Sequence, residues 1–317
     1  MPETLLRARR PAAVDPASVG ISYSGGGPLL LIELGVARAF VELGLRPFAI
    51  AGVSAGAIAA SAHALDPVGG RGIDAAIAAL AGVNNATFGL TLPQIALNAV
   101  WNREHLAALG DNAPMKGLFE GVFEQVAGQR ELTVDYFGRD GRPQLIIGAA
   151  DRLSAEPTWF EGSVPVADAL IASSAIPGVF PAKTIPIDGT ERLFVDGGVV
   201  SGQPLSILAL AGCGTIYACA VGYDGEKLAP PTNLIDNWMQ AFTIAIHNAS
   251  RLEQDYVQLK LGDRGVIHHI HPEIPFPIDG FNFDRGPVAQ VVADAVAATK
   301  EWITSNQLMP GEGGRAD

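Results

Sequence analysis

Charge is what this 317-residue chain has least of: Asp, Glu, Lys and Arg make up 17% of it, with 21 basic residues against 33 acidic. A net charge of -12 excludes the basic footprint of a nucleic-acid-binding surface and disfavours simple electrostatic attachment to anionic lipid. Long apolar runs are missing too. The most apolar stretch, residues 28–41, is interrupted by Glu33 and Arg38 and falls short of the roughly 20 residues that span a bilayer. Cysteine is scarce, with Cys213 and Cys219 the only two. Their even spacing on one expected strand predicts a shared face, too far apart to bond, hence reduced core thiols in a cytoplasmic protein.

The opening "MPETLLRARRPAAV" carries three arginines with no apolar run behind them, so residues 1–17 are expected to be a flexible leader and not a signal peptide. The glycine-rich end, 309–317, is expected to be a disordered tail. No repeat, low-complexity tract or Pro- or Ser-rich linker divides residues 18–308, which read as one domain.

Hydrophobic residues, at 48%, are ample for a sizeable core. Apolar strand-like runs alternate with helical ones, the pattern of an α/β fold. Strands are expected at 19–24, in "PFAIAGVS", at 142–151, in "ERLFVD", in "GTIYACAVGY" and in "GVIHHIH". Helices are expected from Pro28 to a C-cap at Gly44, in "AGAIAASAHAL", at 166–177 ended by Pro177, at roughly 232–260, and in "GPVAQVVADAVAATKEWI". Residues 67–142 are less regular and could cover a site as a cap; the apolar "TFGLTLPQIALNAVW" within them suits a greasy acyl partner or an ordinary core helix equally.

Two glycine-rich junctions carry the chemistry. Gly52 to Gly56, "GVSAG", fits G-x-S-x-G. A strand turning sharply into a helix strains its central residue, and Gly52 and Gly56 let the flanking backbones approach while the Ser54 hydroxyl points outward. An ordinary tight turn is the competing reading. Gly25, Gly26 and Gly27 stand at an earlier strand–helix junction. The dinucleotide fingerprint needs a further glycine where Leu30 stands, and the P-loop pattern lacks its G-K-[ST]. A structural turn and an oxyanion hole remain, the latter because successive glycines can aim N–H groups at one point at a helix N-terminus. Pro28 has no N–H, so the three glycines are the expected donors.

A serine nucleophile needs a base. His247, His268, His269 and His271 lie late in the chain, where a Ser-Asp-His triad would place one, but no loop signature marks any of them; His63 and His105 lie in helical contexts. A metal site at His269 and His271 lacks a partner pattern. Asp196 in "FVDGGVV" is the better candidate: it ends a short strand, and Gly197 and Gly198 permit close backbone approach, although D-G-G is also common turn chemistry.

Taken in order, "SGGGPLLLIELGVARAFVELGL", "IAGVSAGAIAAS" and "ASSAIPGVFPAKTI" leading into "LFVDGGVVSGQP" resemble the patatin-like phospholipase family over roughly residues 19–210. The resemblance implies a three-layer α/β/α sandwich around a mixed, mainly parallel sheet. It also implies a Ser-Asp dyad without histidine: Ser54 as nucleophile, Asp196 as base, Gly25–Gly27 as oxyanion loop, and no metal or cofactor. The implied activity is a lipid acyl hydrolase, a phospholipase A-like serine esterase, with an acyl-ester substrate and transient contact with a membrane surface. An acyltransferase on the same fold and a non-catalytic acyl- or lipid-binding protein are the alternatives, and a histidine-dependent hydrolase is a third. The chain departs from the family pattern at Leu29 and Leu30, where Arg and Gly are usual, at Glu33, where histidine is common, and at Gly202, where asparagine often stands. The oligomeric state is not written in the sequence.

Overall fold

The computed structural model describes residues 12–91, 93–95, 108–221, 225, 229–232, 234–272 and 288–309. Its centre is a strand, β1 (Asp15–Tyr23), whose last five residues are fully enclosed. Parallel partners flank it: β2 (Ala49–Val53) on one side and β7 (Cys213–Cys219) on the other. The sheet continues in parallel from β2 to β3 (Gln144–Asp151) and from β7 to β8 (Val266–Ile270). Beyond β3 it turns antiparallel, through β6 (Thr190–Asp196) and β5 (Lys183–Ile187), while the short β4 (Pro157–Phe160) also pairs with β3. The eight strands run in the order β5-β6-β3-β2-β1-β7-β8, with β4 off that path.

β1, β2, β3 and β7 are apolar on both faces because helices cover both. On one face Ile21, Tyr23, Ile50, Ile147 and Tyr217 pack with α1 (Leu30–Glu42), α2 (Ala55–Leu65), α3 (Arg71–Leu80) and α4 (Ala113–Ala127). On the other, Ala49, Ala51, Ile146, Ile216 and Ala218 pack with α6 (Ser206–Leu210) and α7 (Leu234–Leu261). The α/β/α layering expected from the resemblance is thus present. α5 (Val166–Ser173) contributes Leu170 to the first of these cores. α8 (Val288–Ser305) crosses α1 at Gly35, where a Cβ would lie 2.4 Å from that of Ala295.

Local chemistry explains the boundaries. Pro28 sits in a 3₁₀ turn, Gly27–Leu29, that leads into α1. α1 ends at Glu42, and Gly44 (φ 76°) follows it as the left-handed residue, its N–H on the Val41 carbonyl and that of Leu45 on Phe40. β1 starts at Asp15, inside the stretch read as a leader, because Asp15 pairs with Cys213. The pairing of β1 and β7 shifts register between Asp15 and Val19. The expected shared face of the two cysteines is not kept: Cys219 lies in the first core and Cys213 in the second, both buried and free. Among the described residues, no single helix is long and apolar enough to cross a membrane.

Candidate active site

Ser54 sits where β2 ends and α2 begins, with φ 54° and ψ -128°. A serine tolerates this strained conformation only when its surroundings enforce it, and here they do. A Cβ on Gly52 would come within 2.2 Å of the Gly56 carbonyl oxygen, and one on Gly56 within 2.4 Å of the carbonyl oxygens of Tyr23 and Ser24. The same contact brings the end of β1, and the glycines after it, against the elbow. Gly25 is packed so closely that its missing Cβ would lie 3.4 Å from that of Ser54.

The three glycine amides are not equivalent. The Gly25 N–H donates to the Gly202 carbonyl at 3.0 Å. Gly26 and Gly27 make no such donation among the described residues, and Gly27 borders the same cavity as Ser54. Gly202, one of the departures from the family pattern, thereby acquires a physical reason. It anchors the loop through its carbonyl, and a Cβ there would fall 2.4 Å from both Ile246 and the Ser250 hydroxyl on α7.

Asp196 ends β6 and is buried. Its Oδ1 accepts from the Gly198 N–H at 2.7 Å, while among the described residues Oδ2 has no full hydrogen-bond partner. Burial pushes the carboxyl up to about 7, against the pull of the nearby Ser54 hydroxyl and the Gly198 amide; no histidine is among the causes. The Ser54 hydroxyl is thus close enough to Asp196 to act on its pKa. Gly197 seats the turn, since a Cβ there would meet the Gly148 carbonyl oxygen at 2.4 Å.

Ser173 and Ala175 tie the two halves together, and neither was singled out individually from the sequence. The Ser54 N–H donates to Ser173 Oγ at 2.9 Å, and that hydroxyl donates onward to the Gly148 carbonyl at 2.6 Å. The Asp196 N–H donates to the Ala175 carbonyl at 3.0 Å. The only sequence signal for this strap is the A-S-x-A-x-P run, which carries no mechanism until the contacts are seen.

An apolar cavity of about 80 Å³ opens beside Ser54. Ala76 and Leu80 of α3, Phe88, and Met115 and Phe119 of α4 form much of its wall. Part of the irregular 67–142 region is therefore a cavity wall; of the segment 87–101, Phe88 lines it, while residues 92 and 96–101 lie outside the described residues. Leu30 also lines it.

Three of the described histidines engage other groups. His63 is buried, its Nδ1 paired with the Tyr23 hydroxyl at 2.9 Å and its pKa driven down to about 3 by burial. His268 packs against the Tyr217 ring, and His271 Nδ1 pairs with the Ala220 carbonyl. His105 lies outside the described residues. Among the described residues, no group of three His, Cys, Asp or Glu side chains could hold a metal ion. Glu33 is completely buried beneath this region, its oxygens without partners among the described residues. Burial pushes its pKa well above the usual carboxylate value, with the Ser24 hydroxyl pulling the other way.

A family model described as patatin-like phospholipase matches residues 21–209, a span that takes in the glycine loop, the elbow, the strap and Asp196. The chain belongs to the patatin-like phospholipase family. Membership of this family points to lipid acyl hydrolase activity, and the α/β/α fold around a mixed, mainly parallel sheet accords with it. The solved structure of VipD from Legionella pneumophila is similar at 14% identity and a TM-score of 0.43, over 94% of this chain and 68% of that one. None of the curated proteins matches.

Proposed function

We propose that this patatin-like protein hydrolyses lipid acyl esters through a Ser54–Asp196 dyad and an acyl-enzyme. The observation that carries the reading is the buried Asp196 carboxyl, raised to about 7 in the company of Ser54, which has a strained backbone and borders the apolar cavity. A base poised near neutral pH can both take and return a proton. Asp196 accepts the Ser54 hydroxyl proton as Oγ bonds to the ester carbonyl carbon, and the tetrahedral oxyanion forms. The Gly26 and Gly27 amides are the donors for that oxyanion, each worth about 3 kcal/mol in comparable sites. Gly25 supplies close approach, its own N–H being held by Gly202.

The carbon–oxygen bond to the alcohol then breaks, and Asp196 protonates the leaving oxygen. A water molecule gives its proton to Asp196 and attacks the acyl carbon, and Ser54 regains the proton as the acid departs. The apolar cavity beside Ser54 receives the acyl chain.

S54A and D196N should each reduce hydrolysis of p-nitrophenyl acyl esters by at least about 10³-fold, the range seen when a catalytic nucleophile or base is lost. The circular dichroism spectrum should be unchanged. Substantial activity in either variant rejects the dyad.

A further inference from the structure

Residues 201–206 join the two halves of the site. On one side the Ser201 N–H donates to the Gly197 carbonyl at 3.0 Å, within the Asp196 turn. On the other the Gly202 carbonyl accepts the Gly25 N–H at 3.0 Å and so anchors the glycine loop. The segment lies between a single 3₁₀ turn, Gly197–Val199, and the five-residue α6, and neither is long enough to fix it alone. Ser201, Gln203 and Leu205 within it are nevertheless buried.

A side chain on α7 holds the segment in place. Glu253 Oε2 accepts from the Ser201 hydroxyl at 2.7 Å. Its Oε1 accepts from the Leu205 N–H at 3.1 Å, the Ser206 N–H at 2.9 Å and the Ser206 hydroxyl at 2.7 Å. A carboxylate offers acceptors on both oxygens, and hydrogen bonds to it are stronger than those between neutral groups. Gly202 falls between the residues that Glu253 holds. The next residue of α7, Gln254, donates from Nε2 to Gln203 Oε1 at 2.8 Å, and Ile246 and Ser250 close against Gly202 from the same helix.

We infer that Glu253 is a positioning residue for the oxyanion loop. Through residues 201–206 it fixes the Gly202 carbonyl, and through that carbonyl the Gly25 amide and the Gly26 and Gly27 donors that follow. This inference rests on the Ser54–Asp196 hydrolase reading. Asp196 is held independently, its N–H on the Ala175 carbonyl and its Oδ1 on the Gly198 N–H. Loss of Glu253 therefore displaces the oxyanion donors and leaves the base in place. A displaced oxyanion site loses transition-state stabilisation while the ester still binds.

The test compares E253M, which keeps the side-chain length without either acceptor, with E253Q, whose amide oxygen still accepts from the segment and whose nitrogen can engage Ser201. Rates are expressed per Ser54 titrated to completion by a fluorophosphonate, so that misfolded protein does not count. On a p-nitrophenyl acyl ester, E253M should lose about 10- to 100-fold in kcat with KM within about twofold of the wild type, and the pH inflection should not move. E253Q should recover most of that loss. A trifluoromethyl ketone, whose adduct with Ser54 carries the oxyanion, should bind E253M more weakly by the same factor as kcat/KM falls. If E253M does not fold, S201A, which removes one of the four bonds, should show the same pattern at about fivefold. Unchanged kcat per titrated site in a destabilised E253M would make Glu253 a support of the fold alone and overturn the inference. A rise in KM at constant kcat, a moved inflection, an unchanged ketone affinity, or a loss in E253Q equal to that in E253M would overturn it too. The two levels separate in the wild type: absence of both hydrolysis and labelling there defeats the hydrolase reading and this inference with it, whereas a hydrolysing, labelled wild type matched by E253M defeats this inference alone.

Discussion

At the scale of single residues, two buried carboxyls, Asp196 and Glu33, are both kept protonated further up the pH scale than usual. Asp196 is raised to about 7 and, in the proposed general-base role, must lose its proton to work. The value of kcat/KM should therefore rise with pH through an inflection near 7, and a profile flat from pH 5 to 9 would remove Asp196 from the base role. Stability moves the opposite way. A carboxyl raised above its unfolded value of about 3.9 stabilises the fold fully below that value, and the contribution is lost as pH climbs through the folded pKa. D196N mimics the neutral form, so its Tm should exceed that of the wild type at pH 8 and match it near pH 4. Glu33 has the same sign without a visible catalytic task. E33Q should raise Tm more at pH 8 than at pH 5, as calorimetry would show, with hydrolysis unaffected.

At the scale of elements, glycines split by the reason each is needed. Gly56 is fixed by close approach to the end of β1, and G56A, with its Cβ 2.4 Å from two carbonyl oxygens, should cost more than about 3 kcal/mol or prevent folding. Gly44 is fixed only by its positive φ, with open space around it, so G44A should cost about 1 kcal/mol in urea denaturation. S173A should lower stability by about 1–3 kcal/mol and kcat more than KM, because it unseats the Ser54 amide and frees the Gly148 carbonyl. The elbow and the Asp196 turn were legible in the sequence because their demands are steric and local: a glycine two residues to either side, a glycine pair after an aspartate. The parallel strands were legible because burial on both faces writes an unbroken apolar run. β5 and β4 escaped for the converse reason. β5 is a half-exposed edge strand containing Pro186, β4 has four residues, and neither accumulates an apolar signal. Spending the Gly25 N–H on Gly202 joins positions 177 residues apart in sequence and could not have been read from either.

At the scale of the whole molecule, the sheet brings the glycine loop and the elbow side by side because β1 and β2 are parallel neighbours ending at the same edge. Asp196 arrives from the antiparallel side, through β6 on β3. The helices α3 and α4 wall the cavity beside Ser54, and on the proposed reading they set the acyl chain length it accepts. A76F, which projects a ring into the cavity wall, should cut kcat/KM for long-chain esters by about tenfold or more while sparing acetate esters. Equal effects across chain lengths would show that the acyl group lies elsewhere.

The central claim is that Ser54 carries the acyl group during turnover, with Asp196 required to put it there. The most direct measurement is rapid-quench mass spectrometry of the protein mixed with a p-nitrophenyl acyl ester. The account predicts one acyl mass added within the first turnover, mapped to the peptide containing Ser54, absent in S54A and formed far more slowly in D196N. Hydrolysis with no acyl adduct, or an adduct on another residue, would contradict it.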